Sequence, residues 1–425
     1  MSNIREIKNE LLNDSYYEID HSSGYKIFVY PKENYSSSYA IFGTKYGSID
    51  TCFKVEGQEN FTGIPEGIAH FLEHKLFESE ELDAFARYAK TGASANAYTS
   101  FDKTCYLFSC TDNFEDSLEI LFDFVQNPYF TEQTVQKEQG IIGQEIRMYE
   151  DEPGWESLFG LLRAMYHNHP VRIDIAGTVE SISHITADLL YECYNTFYNP
   201  ANMALAVAGN VTVEQVLKVA DKMLKANESR KIERKFMEEP ATVVEKTVVK
   251  NLPVSMPIFA IGFKEDIKTP CRTLKESIIS NILLDVIAGK TSSLYEKLLD
   301  EGLINTTFDT EYFEGYGYSA HIFTGESYEY EKVREYINEE LRLVINEGVN
   351  EEDFDRIKKK HYGNFIMNFN DIDSISNSLI GAYFNGDGLF EQLEALESIT
   401  VDDVNNRLRT AINLENSSMS VIKEA

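Results

Sequence analysis

Cysteine and long apolar runs are scarce in this sequence, and each scarcity excludes a class of protein. The 425 residues hold five cysteines, an odd number without the spacing of a disulfide framework, which favours reduced thiols. No stretch approaches the ~18 consecutive apolar residues that a membrane-spanning helix needs. The first ~30 residues lack the apolar core of a signal peptide. We therefore expect a cytoplasmic protein without a membrane partner.

Positive charge is also in short supply. Lys and Arg number 39 against 70 Asp and Glu, which gives a formal net charge of −31. Because phosphate backbones would be repelled, a nucleic-acid partner is not expected. Two explanations of the acidic balance stay open: an acidic interior that attracts basic peptides, or solubility alone.

The most informative segment is the pentapeptide His70-Phe71-Leu72-Glu73-His74, an H-x-x-E-H pattern in an amphipathic stretch. A helix turns once every ~3.6 residues, so His70, Glu73 and His74 share one face. Two imidazoles with a carboxylate between them provide two nitrogen ligands for a catalytic zinc ion and an acid/base group beside it. Pro65 and Glu66 suit the first turn of such a helix. Alone, the pentapeptide also fits a helix with two ordinary histidines.

A third metal ligand is expected downstream, because a catalytic zinc ion usually takes three protein ligands. Residues 131–150 read as a second helix, in which Glu138 and Glu145 lie two turns apart on one face. Gly140 and Gly143 interrupt this helix, and small residues permit the close approach of another element. We therefore expect this helix to pack against the one that carries the pentapeptide.

These residues together resemble the pitrilysin-type inverzincin zinc metallopeptidases, which include mitochondrial processing peptidase and insulin-degrading enzyme. The resemblance extends over most of the first half, and its further matches are Gly92-Ala93-Ser94-Ala95-Asn96-Ala97-Tyr98-Thr99, Asn199-Pro200-Ala201-Asn202-Met203 and Gly209-Asn210. It implies one zinc ion per chain, with His70, His74 and Glu145 as ligands and Glu73 as the general base. It also implies that Glu138 is a carboxylate that orients a ligand.

A hairpin follows the pentapeptide. Residues 95–98 and 104–109 are strand-like and flank the polar turn 100–103. The resemblance implies that Asn96 and Ala97 bind an extended peptide by main-chain pairing. The other interpretation is a plain hairpin within a sheet.

The order of elements suggests a duplication. We expect a zinc-binding domain at 1–228, a polar linker at 229–244, and a domain of the same fold without metal at 245–425. The resemblance implies an α+β fold with two similar α/β domains, each a mainly antiparallel sheet packed against helices. It further implies that two such chains close like a clam around the substrate.

The second half departs from the family pattern. Aligned on Gly302-Leu303, Leu298 stands where the family carries a substrate-binding arginine, and Asn305 stands where it carries a tyrosine. Lys297, Tyr312, Tyr316 or Tyr318 could compensate for this. Some half-length bacterial members divide the work between a zinc-bearing chain and a zinc-less chain. The departure therefore predicts a heterodimer in which this chain is the zinc-bearing subunit, with a homodimer as the alternative.

The expected function is that of a zinc-dependent endopeptidase acting on peptides or unfolded segments inside a closed chamber. Two alternatives remain from the sequence. One is a non-catalytic assembly subunit, against which an intact Glu73 argues. The other is a zinc hydrolase of a non-peptide substrate, which would keep the same ligands.

Overall fold

A computed structural model describes residues 2–80, 82–267 and 271–425. The chain forms two compact units that are discontinuous in sequence. The first unit comprises Met1–Ile146, Asp174–Lys235 and Ile366–Phe390, and the second comprises Arg147–Ile173, Phe236–Phe365 and Glu391–Ala425. The domain boundaries expected from the sequence follow chain order. In the structure, residues 147–173 from the first half of the chain belong to the second unit, and residues 366–390 from the second half belong to the first unit. No helix within the described ranges is long and apolar enough to cross a membrane.

The described residues form strands and helices in alternating groups. The strands are β1 (Asn3–Asn9), β2 (Asp14–Asp20), β3 (Lys26–Pro31), β4 (Ser38–Thr44), β5 (Cys52–Val55), β6 (Thr62–Gly63), β7 (Ser94–Thr99), β8 (Thr104–Cys110), β9 (Met203–Gly209), β10 (Ile232–Arg234), β11 (Thr247–Asn251), β12 (Ile258–Lys264), β13 (Asp309–Gly315), β14 (Tyr318–Glu326) and β15 (Ser417–Lys423). The helices are α1 (Ile68–Leu76), α2 (Ala84–Thr91), α3 (Phe114–Gln126), α4 (Glu132–Glu150), α5 (Pro153–Met165), α6 (Val179–Ser183), α7 (Ala187–Phe197), α8 (Val213–Met223), α9 (Leu274–Ala288), α10 (Ser293–Asp300), α11 (Tyr330–Glu347), α12 (Glu351–Asn368), α13 (Ile372–Asn385), α14 (Glu391–Ser398) and α15 (Val401–Ala411). Short 3-10 turns lie at Pro170–Arg172, Pro200–Asn202 and Leu414–Asn416.

The first unit is built on a seven-stranded sheet in the order β1-β2-β3-β9-β4-β8-β7, in which only β3 and β9 run parallel. Helices cover both faces of its centre. On one face Phe42 meets Phe122 of α3 with ring centroids 5.6 Å apart. On the other, Gly43 lies against Ile380 and Phe384 of α13. This double covering explains why every residue of β4 and β9 is buried.

A small sheet, β10-β5-β6, belongs to the same unit. Its strand β10 lies within 229–244, the segment expected to be a linker, and pairs antiparallel with β5. Part of that segment is therefore regular structure.

The second unit is built on a five-stranded sheet in the order β11-β15-β12-β14-β13, with β11 and β15 parallel. Gly262 in β12 leaves the room that the Met165 side chain of α5 fills on one face. Phe259, Ile261 and Phe263 alternate with it and belong to the apolar core on the opposite face.

The two sheets share one topology. Numbered along the chain, five strands of each unit lie in the order first, fifth, second, fourth, third, with the same strand directions. In the first unit these strands are β3, β9, β4, β8 and β7. Each sheet also packs against a helix from the other half of the sequence, α13 in the first unit and α5 in the second. The expected α+β fold with two similar units is confirmed.

Candidate metal centre

The helix α1 begins where the chain makes a tight turn. Gly67, immediately before it, has φ +86°, and a Cβ atom at this position would collide with the carbonyl of Ala176. Only glycine suits both constraints. The helix therefore starts at Ile68, and the expectation that Pro65 and Glu66 form its first turn is wrong.

The buried face of α1 fixes the direction of its polar residues. Ile68, Phe71, Leu72 and Leu76 are buried in the core of the first unit. The histidines remain accessible, with side-chain exposures of 12% for His70 and 25% for His74. The amphipathic pattern thus turns both imidazoles towards α4.

Glu145 of α4 meets both histidines. Its Oε1 lies 3.7 Å from His70 Nε2, and its Oε2 lies 3.5 Å from His74 Nε2. Two ligands bound to zinc at 2.0–2.1 Å in tetrahedral geometry are separated by about 3.3–3.5 Å. One ligand atom from each of the three residues can be chosen so that all lie within 4.8 Å of one another. Two imidazole nitrogens and a carboxylate at this spacing fit a zinc ion and leave its fourth position open.

Glu138 lies two helical turns before Glu145 in α4 and supports this arrangement. Its Oε1 accepts a hydrogen bond from His74 Nδ1 at 3.0 Å. A carboxylate on Nδ1 fixes the ring orientation and leaves Nε2 as the free lone pair that faces Glu145. The structure therefore brings together all four of the residues that the sequence suggested as ligands or their support.

The electrostatic environment differs between the two histidines. Burial, followed by the nearby His74, lowers the pKa of His70 to about 3, so its imidazole is neutral, as a metal ligand must be. Burial acts to lower the pKa of His74 as well, but Glu138, Glu73 and Glu145 together raise it above its ordinary value. The same carboxylates that favour a proton there also favour a divalent cation.

Glu73 lies on the same helix, and its carboxylate is held by a neighbour. Thr99 Oγ1, at the end of β7, donates a hydrogen bond of 2.6 Å to Glu73 Oε2. Burial raises the pKa of Glu73, while the Thr99 hydrogen bond acts in the opposite direction. A raised pKa makes a carboxylate a better proton acceptor, which is the property that a general base needs.

Asn96 and Ala97 lie in β7, the outermost strand on one side of the seven-stranded sheet. Ser100 N donates to Lys103 O, and Thr99 is paired with Thr104 in the next register position. Because antiparallel pairs alternate, the backbone groups of Ala97 and Thr99 face the free edge, while those of Asn96 face Leu107 of β8. The Ala97 N–H also contacts Asn96 Oδ1 at 2.9 Å.

Leu298 and Asn305, where the resemblance leads us to expect an arginine and a tyrosine, lie in the second unit. Leu298 is fully buried in its core. The Asn305 side chain donates to Glu326 Oε2 at 2.7 Å and accepts from Thr307. Of the neighbours that could compensate, Lys297 sits 3.8 Å from the ring centre of Tyr336.

Sequence reasoning assigned no role to two residues beside the centre. Thr99 ended a matched segment without a function. Lys75 was not assigned a role either. Its side chain is fully buried next to the pentapeptide and forms an ion pair with Glu78. A lysine on the apolar side of an amphipathic helix is a sequence signal in its own right, because a buried charge needs a partner.

Comparison with known proteins locates these elements within a family. Residues 64–179 match the sequence model described as Insulinase (Peptidase family M16), and residues 184–360 match that of the Peptidase M16 inactive domain. The first match spans the pentapeptide and both Glu138 and Glu145 of α4.

Similar proteins cover the whole chain. It is 42% identical over 420 residues to the uncharacterized zinc protease YmfH of Bacillus subtilis (strain 168), with 96% of each protein covered. It is 31% identical over 196 residues to the mitochondrial-processing peptidase subunit beta of Caenorhabditis elegans, covering 45% of this chain and 41% of that one. The crystal structure of an M16-like peptidase from Alicyclobacillus acidocaldarius matches with a TM-score of 0.92 at 34% identity, over 100% of this chain and 99% of that one.

Proposed function

This chain belongs to the insulinase family, peptidase family M16, and from that membership and the site geometry we propose that it is a zinc-dependent endopeptidase. The observation that carries the proposal is the placement of His70, His74 and Glu145 around one point, with Glu73 beside it. The family supports the peptidase role, and the contacts described above support the part proposed for each residue.

The chemistry divides between the metal and the side chains. A bound zinc ion supplies a Lewis acid that makes water nucleophilic near neutral pH and polarises a peptide carbonyl. His70, His74 and Glu145 hold that ion, and Glu138 orients His74. Glu73 accepts the proton of the attacking water and delivers it to the leaving amine. Its raised pKa suits both steps, because a carboxyl group that is too acidic would not return the proton.

The substrate is an extended peptide that pairs with β7. Because the backbone groups along β7 point alternately towards β8 and towards the free edge, Asn96 and Ala97 would contact the peptide in different ways. Ala97 offers its main chain at the free edge, whereas the main chain of Asn96 is engaged with Leu107, so Asn96 acts through its exposed side chain. Main-chain pairing favours unfolded segments and short peptides over folded proteins.

The direct test is the substitution Glu73→Gln. We expect the variant to bind one zinc ion per chain and to lose about 10²–10⁴-fold in kcat on a quenched-fluorescent peptide library. Glu150→Gln, an exposed position on α4, serves as the matched control and should behave as wild type. Cleavage by Glu73→Gln at the wild-type rate would contradict the mechanism. Cleavage of small esters but not peptides would favour a non-peptide hydrolase.

We also propose that the enzyme assembles with a homologous, zinc-less partner. Support comes from Leu298 and Asn305, which lack the functional groups of the family clamp, and from the relative whose name identifies it as a subunit. The zinc-loaded chain alone should then bind zinc fully and cleave peptides poorly. A fully active homodimer, identified by light scattering during size-exclusion chromatography, would contradict the proposal.

A further inference from the structure

We propose that Thr99 is a positioning residue that joins the peptide-binding edge of β7 to the general base Glu73. This inference rests on the proposed function. It assigns a part in the reaction to a hydroxyl group that neither the pentapeptide nor the metal ligands include.

The first step of the argument is the occupancy of the Glu73 carboxylate. Thr99 Oγ1 donates its proton to Oε2 at 2.6 Å, a short distance typical of a hydroxyl bound to a charged oxygen. With Oε2 engaged, Oε1 is the oxygen left to take a proton from water. A protonated Oε1 leaves the Thr99 bond to Oε2 in place. Thr99 can therefore hold the carboxyl group in one orientation through both halves of the proton transfer.

The second step is what holds Thr99. It pairs across the hairpin with Thr104, in the close, non-hydrogen-bonded type of antiparallel pair. Thr104 Oγ1 is buried, lies 3.3 Å from Thr99 Oγ1, and hydrogen-bonds to the carbonyl of Tyr46 at 2.9 Å. The Thr99 hydroxyl is thus placed between a fixed neighbour and Glu73, which limits its rotation.

The third step is the direction of the Thr99 backbone. Its N–H and C=O face the free edge of the sheet, whereas its side chain reaches Glu73. A peptide that pairs along β7 would contact the backbone of the same residue that orients the general base. Peptide binding would therefore restrict the motion of the Glu73 carboxylate while the scissile bond lies next to it.

The experiment compares Thr99→Val with Thr99→Ser in the zinc-loaded, assembled enzyme. Valine keeps the shape and removes the hydroxyl, whereas serine restores it. We expect Thr99→Val to lower kcat by about 10–100-fold with KM changed less than about twofold. Thr99→Ser should recover to within about threefold of wild type. Thr111→Val, an exposed threonine just beyond β8, is the control and should leave kcat unchanged.

Two readouts are independent of turnover. Zinc stoichiometry should stay at one per chain in Thr99→Val. Affinity for an uncleaved peptide, measured by fluorescence anisotropy with Glu73→Gln also present, should stay within about twofold. A wild-type kcat in Thr99→Val, an equal loss in Thr99→Ser, or a loss explained by zinc or peptide binding would each overturn the inference. If Glu73→Gln itself cleaves normally, the proposed function fails. If Glu73→Gln is inactive and Thr99→Val is not, only the role of Thr99 fails.

Discussion

The two units share one five-stranded topology but use the first helix between its second and third strands differently. In the first unit that helix is α1, which turns His70, Glu73 and His74 away from the core. In the second unit it is α9, whose buried residues are mainly aliphatic and which carries no histidine. The scaffold is therefore common to both units, and a few side chains on α1 and α4 distinguish the proposed metal centre from the packed helix of the second unit.

Buried charge makes the same contrast clearer. In the second unit the Glu265 carboxylate is almost fully buried and is neutralised by the protein itself, through Arg272 and through Arg407 at 2.6 Å. Arg407 also bonds to Ser280 and Tyr312. In the first unit the carboxylates of Glu138 and Glu145 face histidines instead, with one side open to solvent. The network in the second unit compensates its own charge, whereas the carboxylates of the proposed metal centre are placed where a cation could bind.

Breaking the closed network should have the largest effect on stability. Arg407→Met leaves Glu265 with one cation instead of two, and removing one partner of a buried pair costs about 3–5 kcal/mol. We expect that loss in the free energy of unfolding, measured by urea denaturation. Zinc stoichiometry of the folded protein should not change. Arg409→Met, at an exposed position on the same helix, is the control, and an equal effect there would show that the network is unimportant.

A smaller effect of pH on the free energy of unfolding is expected through the second unit's network. His321 is fully buried beside Glu265, and burial lowers its pKa to about 4. The unfolded chain, with an ordinary value near 6.5, gains a proton as pH falls from 6.5 to 4, whereas the folded chain does not. The free energy of unfolding should therefore drop by up to about 3 kcal/mol across this window.

The comparison that isolates this contribution is His321→Leu against wild type. The variant should lose part of the pH dependence of unfolding between pH 6.5 and 4. His184→Gln, at an exposed position in the first unit, serves as the matched control. An unchanged pH profile in His321→Leu would show that this histidine is not held neutral by the fold.

The smallest effect should come from Glu138→Gln in the open centre. The amide retains a hydrogen-bond acceptor but loses the charge that orients His74. Outer carboxylates of this kind contribute about 10–100-fold to metal affinity. We expect that loss in competition titrations with a chelator, while Glu150→Gln binds zinc as wild type does. An unchanged zinc affinity in Glu138→Gln would show that the three direct ligands alone determine metal binding.

Local periodicity predicts which residues share a face of each helix, and the family resemblance implies their roles. A spacing of four placed His70 and His74 on one face, and a spacing of seven placed Glu138 and Glu145 on another. The start of α1 was not predictable, because it depends on the contact between Gly67 and Ala176, more than a hundred residues apart in sequence. The role proposed for Thr99 depends likewise on a hairpin register that brings β7 to α1.

For a related reason, the sequence does not predict that α5 and α13 each pack against the sheet of the other half of the chain. An amphipathic pattern shows that α5 and α13 each need an apolar partner, but it does not say which sheet supplies it. Gly43 and Gly262 mark the places where those helices approach the strands. Their meaning is evident only once the sheets are formed.

The measurement that most directly tests the proposed metal centre is the zinc content and affinity of the purified chain beside its Glu145→Gln variant. Mass spectrometry of the native protein and chelator competition would give both quantities. We predict one tightly bound zinc ion in the wild type, and an affinity lower by more than about 100-fold in Glu145→Gln, since a direct ligand should matter more than an outer one. Equal zinc binding by the two proteins, or none by either, would contradict the assignment of His70, His74 and Glu145 as the metal site.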